Sequence, residues 1–126
     1  MNFYQPFSLP KLMVAPNGSR RMKTDHESIP ITIDEICKTA EACYNSGAEA
    51  LHFHVRDKDG LHVLDAGLYK ETLRELESIV PKMHLQITTE AIGIYSPEQM
   101  RNLIYNVETP GISIGIKEMI PAGIPS

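Results

Sequence analysis

The chain has 126 residues and a formal net charge of −4, with 42% apolar and 22% charged residues. That length fits one domain with a modest core, residues 1–126 as a single unit. Mild acidity gives no electrostatic basis for a nucleic-acid partner, and no apolar run is long enough to cross a bilayer.

The start, "MNFYQPFSLPKLMVAPNG", lacks the basic opening and apolar stretch of a signal peptide, which makes the cytoplasm the expected location. Lys11-Leu12-Met13-Val14-Ala15 is a short apolar run ended by the turn signal Pro16-Asn17-Gly18, and it predicts a first strand. The loop "SRRMKTDHESIPI" holds the one basic cluster, Arg20-Arg21-Met22-Lys23, which acidic residues follow at once; it reads as a solvated loop or an anion contact. His26 in this loop is expected to be solvated or turn-bonded. Thr32-Ile33-Asp34-Glu35 has the form of a capping box and opens a first helix over Ile33 to Ser46, with Ile36, Ala40 and Cys43 at helical spacing and Gly47 as the stop. Cys37 and Cys43 are six positions apart on that helix, a separation that does not place them side by side for a disulfide.

Ala50 to Val55 predicts the second strand, closed by Asp57-Lys58-Asp59-Gly60; His62 beyond it is expected to be exposed, and Asp57 and Asp65 to be turn residues. Leu68 to Val80 predicts the second helix and His84 to Thr89 the third strand, with His84 at the end away from any chemistry. Ser96-Pro97-Glu98-Gln99 opens a third helix, since Ser96 can cap, Pro97 takes the first position and Gln99 completes a box. Gly111 to Ile116 predicts a fourth strand. The order βαβαβαβ argues for parallel units with right-handed crossovers, and no glycine-rich nucleotide motif accompanies any strand.

Side chains alternate faces along a strand. Leu51, Phe53 and Val55 share one face and His52, His54 and Arg56 the other. Leu85, Ile87 and Thr89 oppose Gln86, Thr88 and Glu90; Ile112, Ile114 and Ile116 oppose Ser113, Gly115 and Lys117. A doubly wound sheet is covered by helices on both faces and would be apolar throughout. A (β/α)8 barrel of the TIM type fits better, with its polar face inward and opening at the carboxyl ends of the strands. A whole barrel takes about 250 residues, so four strands and three helices make the first half of one.

His52 and His54 point the same way, with Cβ atoms about 7 Å apart by strand rise. They can converge on one ion, zinc being the metal that favours such nitrogen ligands, or they can be polar core histidines bonded to neighbours. Zinc needs at least a third protein ligand, for which Glu90 and Glu118 are the local candidates.

The stretches "APNGSRRMKTDH…IPIT", "GAEALHFHVRDKDGLH", "LDAGLYKETL" and "QITTEAIGIYSPEQM" resemble the β-keto acid cleavage enzymes, the family of 3-keto-5-aminohexanoate cleavage enzyme-like proteins, over about residues 12 to 121. The resemblance implies a (β/α)8 barrel, a cytoplasmic oligomer of the amino-acid degradation type, and a transferase reaction in which a β-keto acid and acetyl-CoA give acetoacetate and a new acyl-CoA. It implies zinc as cofactor, held by the positions of His52 and His54, with a glutamate from a late strand that lies in the other half of the barrel. Thr88 matches a hydroxyl position near the substrate, and Asn17 falls where a relative has an acidic residue facing its substrate's amino group, which predicts an uncharged or polar substrate tail here. The expected site is thus His52 and His54 for the metal, Arg56, Thr88 and Glu90 for catalysis, and Asn17, Thr88 and Glu118 for the substrate. A lone half-barrel is not expected to be competent, so the expected partner is a second copy or a complementing half. The alternatives are a metal-dependent hydrolase of the amidohydrolase kind, whose His-x-His belongs on the first strand, and a non-catalytic half-barrel that oligomerises.

Overall fold

The computed structural model describes residues 8–120. Strands β1 (Met13–Val14), β2 (Ala50–His52), β3 (His84–Thr88) and β4 (Ile112–Ser113) alternate with helices α1 (Ile33–Asn45), α2 (Ala66–Ile79) and α3 (Pro97–Asn106). All four strands run parallel in the spatial order β1-β2-β3-β4, with Met13 beside Ala50, Ala50 beside His84, and Ile87 beside Ile112. Chain order equals spatial order, and the buried residues of the helices join the odd-numbered strand residues in one core. This is one stretch of barrel wall, a partial (β/α) barrel.

Each helix begins on a side-chain cap. Thr32 Oγ1 accepts from Glu35 N–H at 3.2 Å, and Glu35 Oε2 accepts from the N–H groups of Thr32 and Ile31 at 3.3 and 2.8 Å. Ser96 and Gln99 exchange the same pair of bonds, with Pro97 in the first turn. Asp65 is not a plain turn residue. Its Oδ1 accepts from Leu68 N–H at 2.8 Å, so α2 starts at Ala66, two positions before the leucine at which the apolar pattern becomes visible. Gly47, at φ +110°, ends α1 in a left-handed conformation that a side chain would disfavour.

Helical spacing then selects what is buried. Ile36, Cys37 and Ala40 of α1, and Tyr69, Thr72, Leu73 and Leu76 of α2, face the sheet. They meet Leu51, Phe53, Val55, Leu85 and Ile87, all on the same strand face. Phe53 and Tyr69 touch with ring centroids 5.8 Å apart. Cys37 and Cys43 are unbridged.

The strands are shorter than their apolar patterns suggest. The ladder of β2 stops at His52, although Phe53 N–H still donates to Gln86 O at 3.2 Å and the alternation of faces continues to Val55. The expected first strand, Lys11 to Ala15, reduces to two paired residues. The expected fourth strand, Gly111 to Ile116, pairs only over Ile112–Ser113 and then tightens into a 3₁₀ turn at Ile116–Met119. Ile114 is exposed and Ile116 is 79% exposed, because no described helix covers that face, and Glu118 ties the turn back to Ala91 N–H at 2.9 Å.

Two polar side chains carry the loops at the carboxyl ends of β1 and β2. Asn17 is buried; its Nδ2 donates to Pro30 O and His54 O and its Oδ1 accepts from His54 N–H, each at 3.0 Å. A side-chain amide thus continues the β1–β2 pairing that the backbone has given up. Arg56, only 6% exposed, donates to the carbonyls of Gly18, Arg21 (2.9 Å) and Gly60 (2.8 Å). It pins the long β1–α1 loop to the turn after β2.

Replacing Phe53 with Ala should lower the free energy of unfolding by about 3–5 kcal/mol, and Thr32→Ala by about 1 kcal/mol, in urea melts of the chain. Similar losses for the two would contradict this division between core and cap. Asn17→Asp should cost more than Asn17→Ala in the same assay. The alanine removes three bonds, whereas the carboxylate sets an acceptor against two carbonyl oxygens and buries a charge. The reverse order would show that the amide is not the link between the strands.

Candidate active site

The polar strand face gathers the candidate groups. His52 sits half-buried on β2, His54 is buried two residues on, and Gln86 and Thr88 stand on the same face of β3. His52 Nε2 and His54 Nε2 lie 3.3 Å apart, with the rings close to perpendicular at 69°. Both imidazoles therefore aim at one point near the carboxyl ends of the strands, where barrel enzymes place their reactions.

The outer nitrogen of each ring is engaged. His52 Nδ1 contacts Gln86 Oε1 at 2.7 Å. His54 Nδ1 lies 3.4 Å from His62 Nδ1 and 3.6 Å from Glu90 Oε2. His62 Nε2 donates to the Glu90 carbonyl at 2.6 Å. On the other side of that peptide, Ala91 N–H donates to Glu118 Oε2, so the Glu90–Ala91 unit is clamped through both its polar groups. The Glu90 carboxylate leans across the site and accepts from Ser19 Oγ at 3.0 Å. Just beyond, Ile92 has φ +46°. A β-branched residue in the left-handed region is strained, and such strain gathers at working sites.

Burial sets the protonation states. His54 is held neutral, its pKa pushed down to about 3, chiefly by desolvation and further by the positive charge that His62, His52 and Arg56 can carry beside it. His62 is lowered for the same first reason, with the Glu90 carbonyl pulling the other way. Neutral imidazole is the form that binds metal ions. Among the described residues, no group of three or more His, Cys, Asp or Glu side chains is placed to hold an ion.

The candidate residues do not all converge. His52, His54, Thr88, Glu90 and Glu118 share one rim. Thr88 is buried, its Oγ1 accepts from Glu90 N–H at 3.1 Å, and its carbonyl accepts from Tyr69 Oη at 3.2 Å. Arg56 follows the histidines by parity, but its terminal nitrogens face loop carbonyls; its buried Nε has no partner among the described residues. Asn17 touches backbone rather than the open face. Lys117 lies exposed in the 3₁₀ turn. His26 is an exposed loop residue whose Nδ1 accepts from Ser28 N–H.

His62 corrects the expectation of an exposed turn residue, being only 3% exposed. Asp57-Lys58-Asp59-Gly60 makes a tight reversal, with Asp57 N–H donating to Leu61 O at 2.8 Å and Gly60 at φ +80°. The chain folds back so that His62 bridges Arg56 in antiparallel fashion. That turn signal, carried two residues further, is what could have found it. Gln86 was placed on the polar face by alternation without being singled out, and Ser19 had no comparable signal.

Residues 11–121 match the family described as beta-keto acid cleavage enzyme. Two curated relatives are 3-keto-5-aminohexanoate cleavage enzymes. That of Fusobacterium nucleatum is 28% identical over 85 residues, 67% of this chain and 31% of its own length. That of Acetoanaerobium sticklandii is 25% identical over 99 residues, 78% of this chain and 36% of its own. A 3-oxoadipate:acetyl-CoA acetyltransferase of Cupriavidus necator is 28% identical over 78 residues, 62% of this chain and 28% of its own length. The chain spans about a third of the length of these relatives. No described helix is long and apolar enough to cross a membrane. With parallel strands, one polar strand face and a match along nearly all of its residues, the chain belongs to the beta-keto acid cleavage enzyme family.

Proposed function

We propose that this chain provides the metal-binding part of a zinc-dependent enzyme that cleaves a β-keto acid with acetyl-CoA, yielding acetoacetate and the acyl-CoA of the remaining chain. The observation that carries the reading is the 3.3 Å separation of His52 Nε2 and His54 Nε2 on the carboxyl rim. Two imidazoles bonded to a tetrahedral zinc at about 2.0–2.1 Å have their nitrogens about 3.3–3.4 Å apart. The pair therefore fits two positions of such a centre, and both rings are engaged through the opposite nitrogen. Bound there, zinc would act as a Lewis acid toward the keto oxygen.

The chain's own groups have distinct parts in this reading. His52 and His54 bind. The Glu90 carboxylate, steadied by Ser19 and 3.6 Å from His54, is the acid–base group nearest the open face. Thr88 and Glu118 line the substrate side and set the Glu90–Ala91 peptide. Arg56 and Asn17 act through the loops, holding the rim and the His54 backbone. A neutral residue at position 17 suits an uncharged or polar substrate tail.

The remaining ligand and the remaining wall come, in this reading, from polypeptide outside the described residues, whether further sequence of the same protein, a second copy or a complementing half-barrel in the cytoplasm. Both outer strands present an open edge among the described residues, and Leu12, Met13, Ile114 and Ile116 beside those edges are exposed. Such edges invite further strands. The family of the chain favours acyl transfer over a metal-dependent hydrolysis of the amidohydrolase kind.

The test combines metal analysis, solution mass and an acetoacetate assay over a set of β-keto acids with acetyl-CoA. The assembled protein should carry zinc and form acetoacetate only with acetyl-CoA. Chelation should abolish turnover and zinc restore it. His54→Ala should cost more than the roughly 10–100-fold typical of losing an outer hydrogen-bond partner. Undiminished turnover by the zinc-free protein would end the metal reading, and full-rate turnover by a purified monomer would end the shared-site reading.

A further inference from the structure

Hydrogen positions on the three clustered histidines follow from their partners. His62 Nε2 faces the Glu90 carbonyl at 2.6 Å, and a carbonyl only accepts, so the proton is on Nε2. Neutral His62 then offers a lone pair at Nδ1. His54 Nδ1, 3.4 Å away, must bring the hydrogen to that contact, since two lone pairs would repel. The Glu90 carboxylate at 3.6 Å favours a hydrogen on the same nitrogen. His52 Nδ1 faces the amide oxygen of Gln86 at 2.7 Å and donates to it. Both Nε2 atoms are left as lone pairs, directed at each other across 3.3 Å. Two acceptors do not settle face to face in a half-buried site without a cation or a donor between them.

We propose that His62 and Gln86 are positioning residues that lock His52 and His54 in the tautomer carrying hydrogen on Nδ1, so that both rings present Nε2 to one point. Neither residue reaches that point itself. His62 works on His54 alone and Gln86 on His52 alone, and the clamp of the Glu90–Ala91 peptide by Glu118 is what holds the carbonyl that orients His62. The lock stands on hydrogen bonds within the chain; its use in holding a cation rests on the zinc reading above. Metal-binding histidines commonly have their other nitrogen fixed in this way.

Tautomers are directly visible in long-range ¹H–¹⁵N correlation spectra of the labelled, metal-free chain at neutral pH. His52 and His54 should show hydrogen on Nδ1, and His62 on Nε2. His62→Ala should move His54 to a mixture of tautomers and leave His52 unchanged, and Gln86→Leu should do the converse. His62→Gln, whose amide oxygen can accept from His54, should restore the wild-type pattern. A titration with Zn²⁺ alone should show affinity about 10–100-fold weaker in either disrupting variant. Hydrogen on Nε2 of His52 or His54 in the wild-type chain overturns the proposal whatever the variants do. So does an unchanged His54 tautomer in a His62→Ala chain whose circular dichroism is native. Correct tautomers together with an assembled protein that takes up no Zn²⁺ would support the lock and remove the zinc reading, which keeps the two apart.

Discussion

The two-residue period of an extended chain governs this molecule. Along β2 and β3 it sends Leu51, Phe53, Leu85 and Ile87 to one side and His52, His54, Gln86 and Thr88 to the other. All the helical cover lies on the first side. A single-residue slip of register would bury imidazoles among leucines and turn Phe53 toward the site, an error large enough to fix the register by itself. The core and the site are therefore two consequences of the same alternation. Tyr69 links them directly: its ring packs on Phe53 in the core, and its hydroxyl donates to Thr88 O at the rim.

The same geometry creates an electrostatic problem. Three imidazoles and a guanidinium crowd the end of one strand, and like charges there would repel. Burial resolves part of it by keeping His54 and His62 neutral. Direction resolves the rest, because Arg56 turns its terminal nitrogens to the carbonyls of Gly18, Arg21 and Gly60. Its charge is met by backbone dipoles on the loop side of the strand while the histidines keep the open side.

Local chemistry made much of the fold legible in the sequence. Both capping boxes, at Thr32 and Ser96, start helices as their residue types require, and Gly47 ends one. Alternation identified the polar face because it needs only the strand period. Strand length was not legible. Pairing at Ile114 and Ile116 depends on what neighbours β4, and a run of isoleucines cannot report that. His62 was missed for a related reason: its burial is created by a fold-back that brings it beside Arg56, not by its immediate neighbours. Asn17 shows a third kind of difficulty. The family resemblance gives it a substrate-facing role, but a side chain with two donors and an acceptor can also stand in for a stretch of β-ladder, and here it does so at His54.

That substitution bears on how the site keeps its shape. Backbone pairing between β1 and β2 ends at Val14 and Leu51, before either histidine of the polar face is reached. If the chain simply splayed apart there, His54 would swing with a free strand end. Asn17 holds the His54 peptide on one side, and the reversal at Asp57–Gly60 brings His62 against its ring on the other. One loop residue thus holds the backbone of His54 and another meets its ring, beyond the end of the β1–β2 ladder. Both supports come from loops at the carboxyl rim, on the side of the strands away from the helical layer. The imidazoles at 52 and 54 thus owe their face of the sheet to the strand period and the setting of their rings to Gln86 and His62.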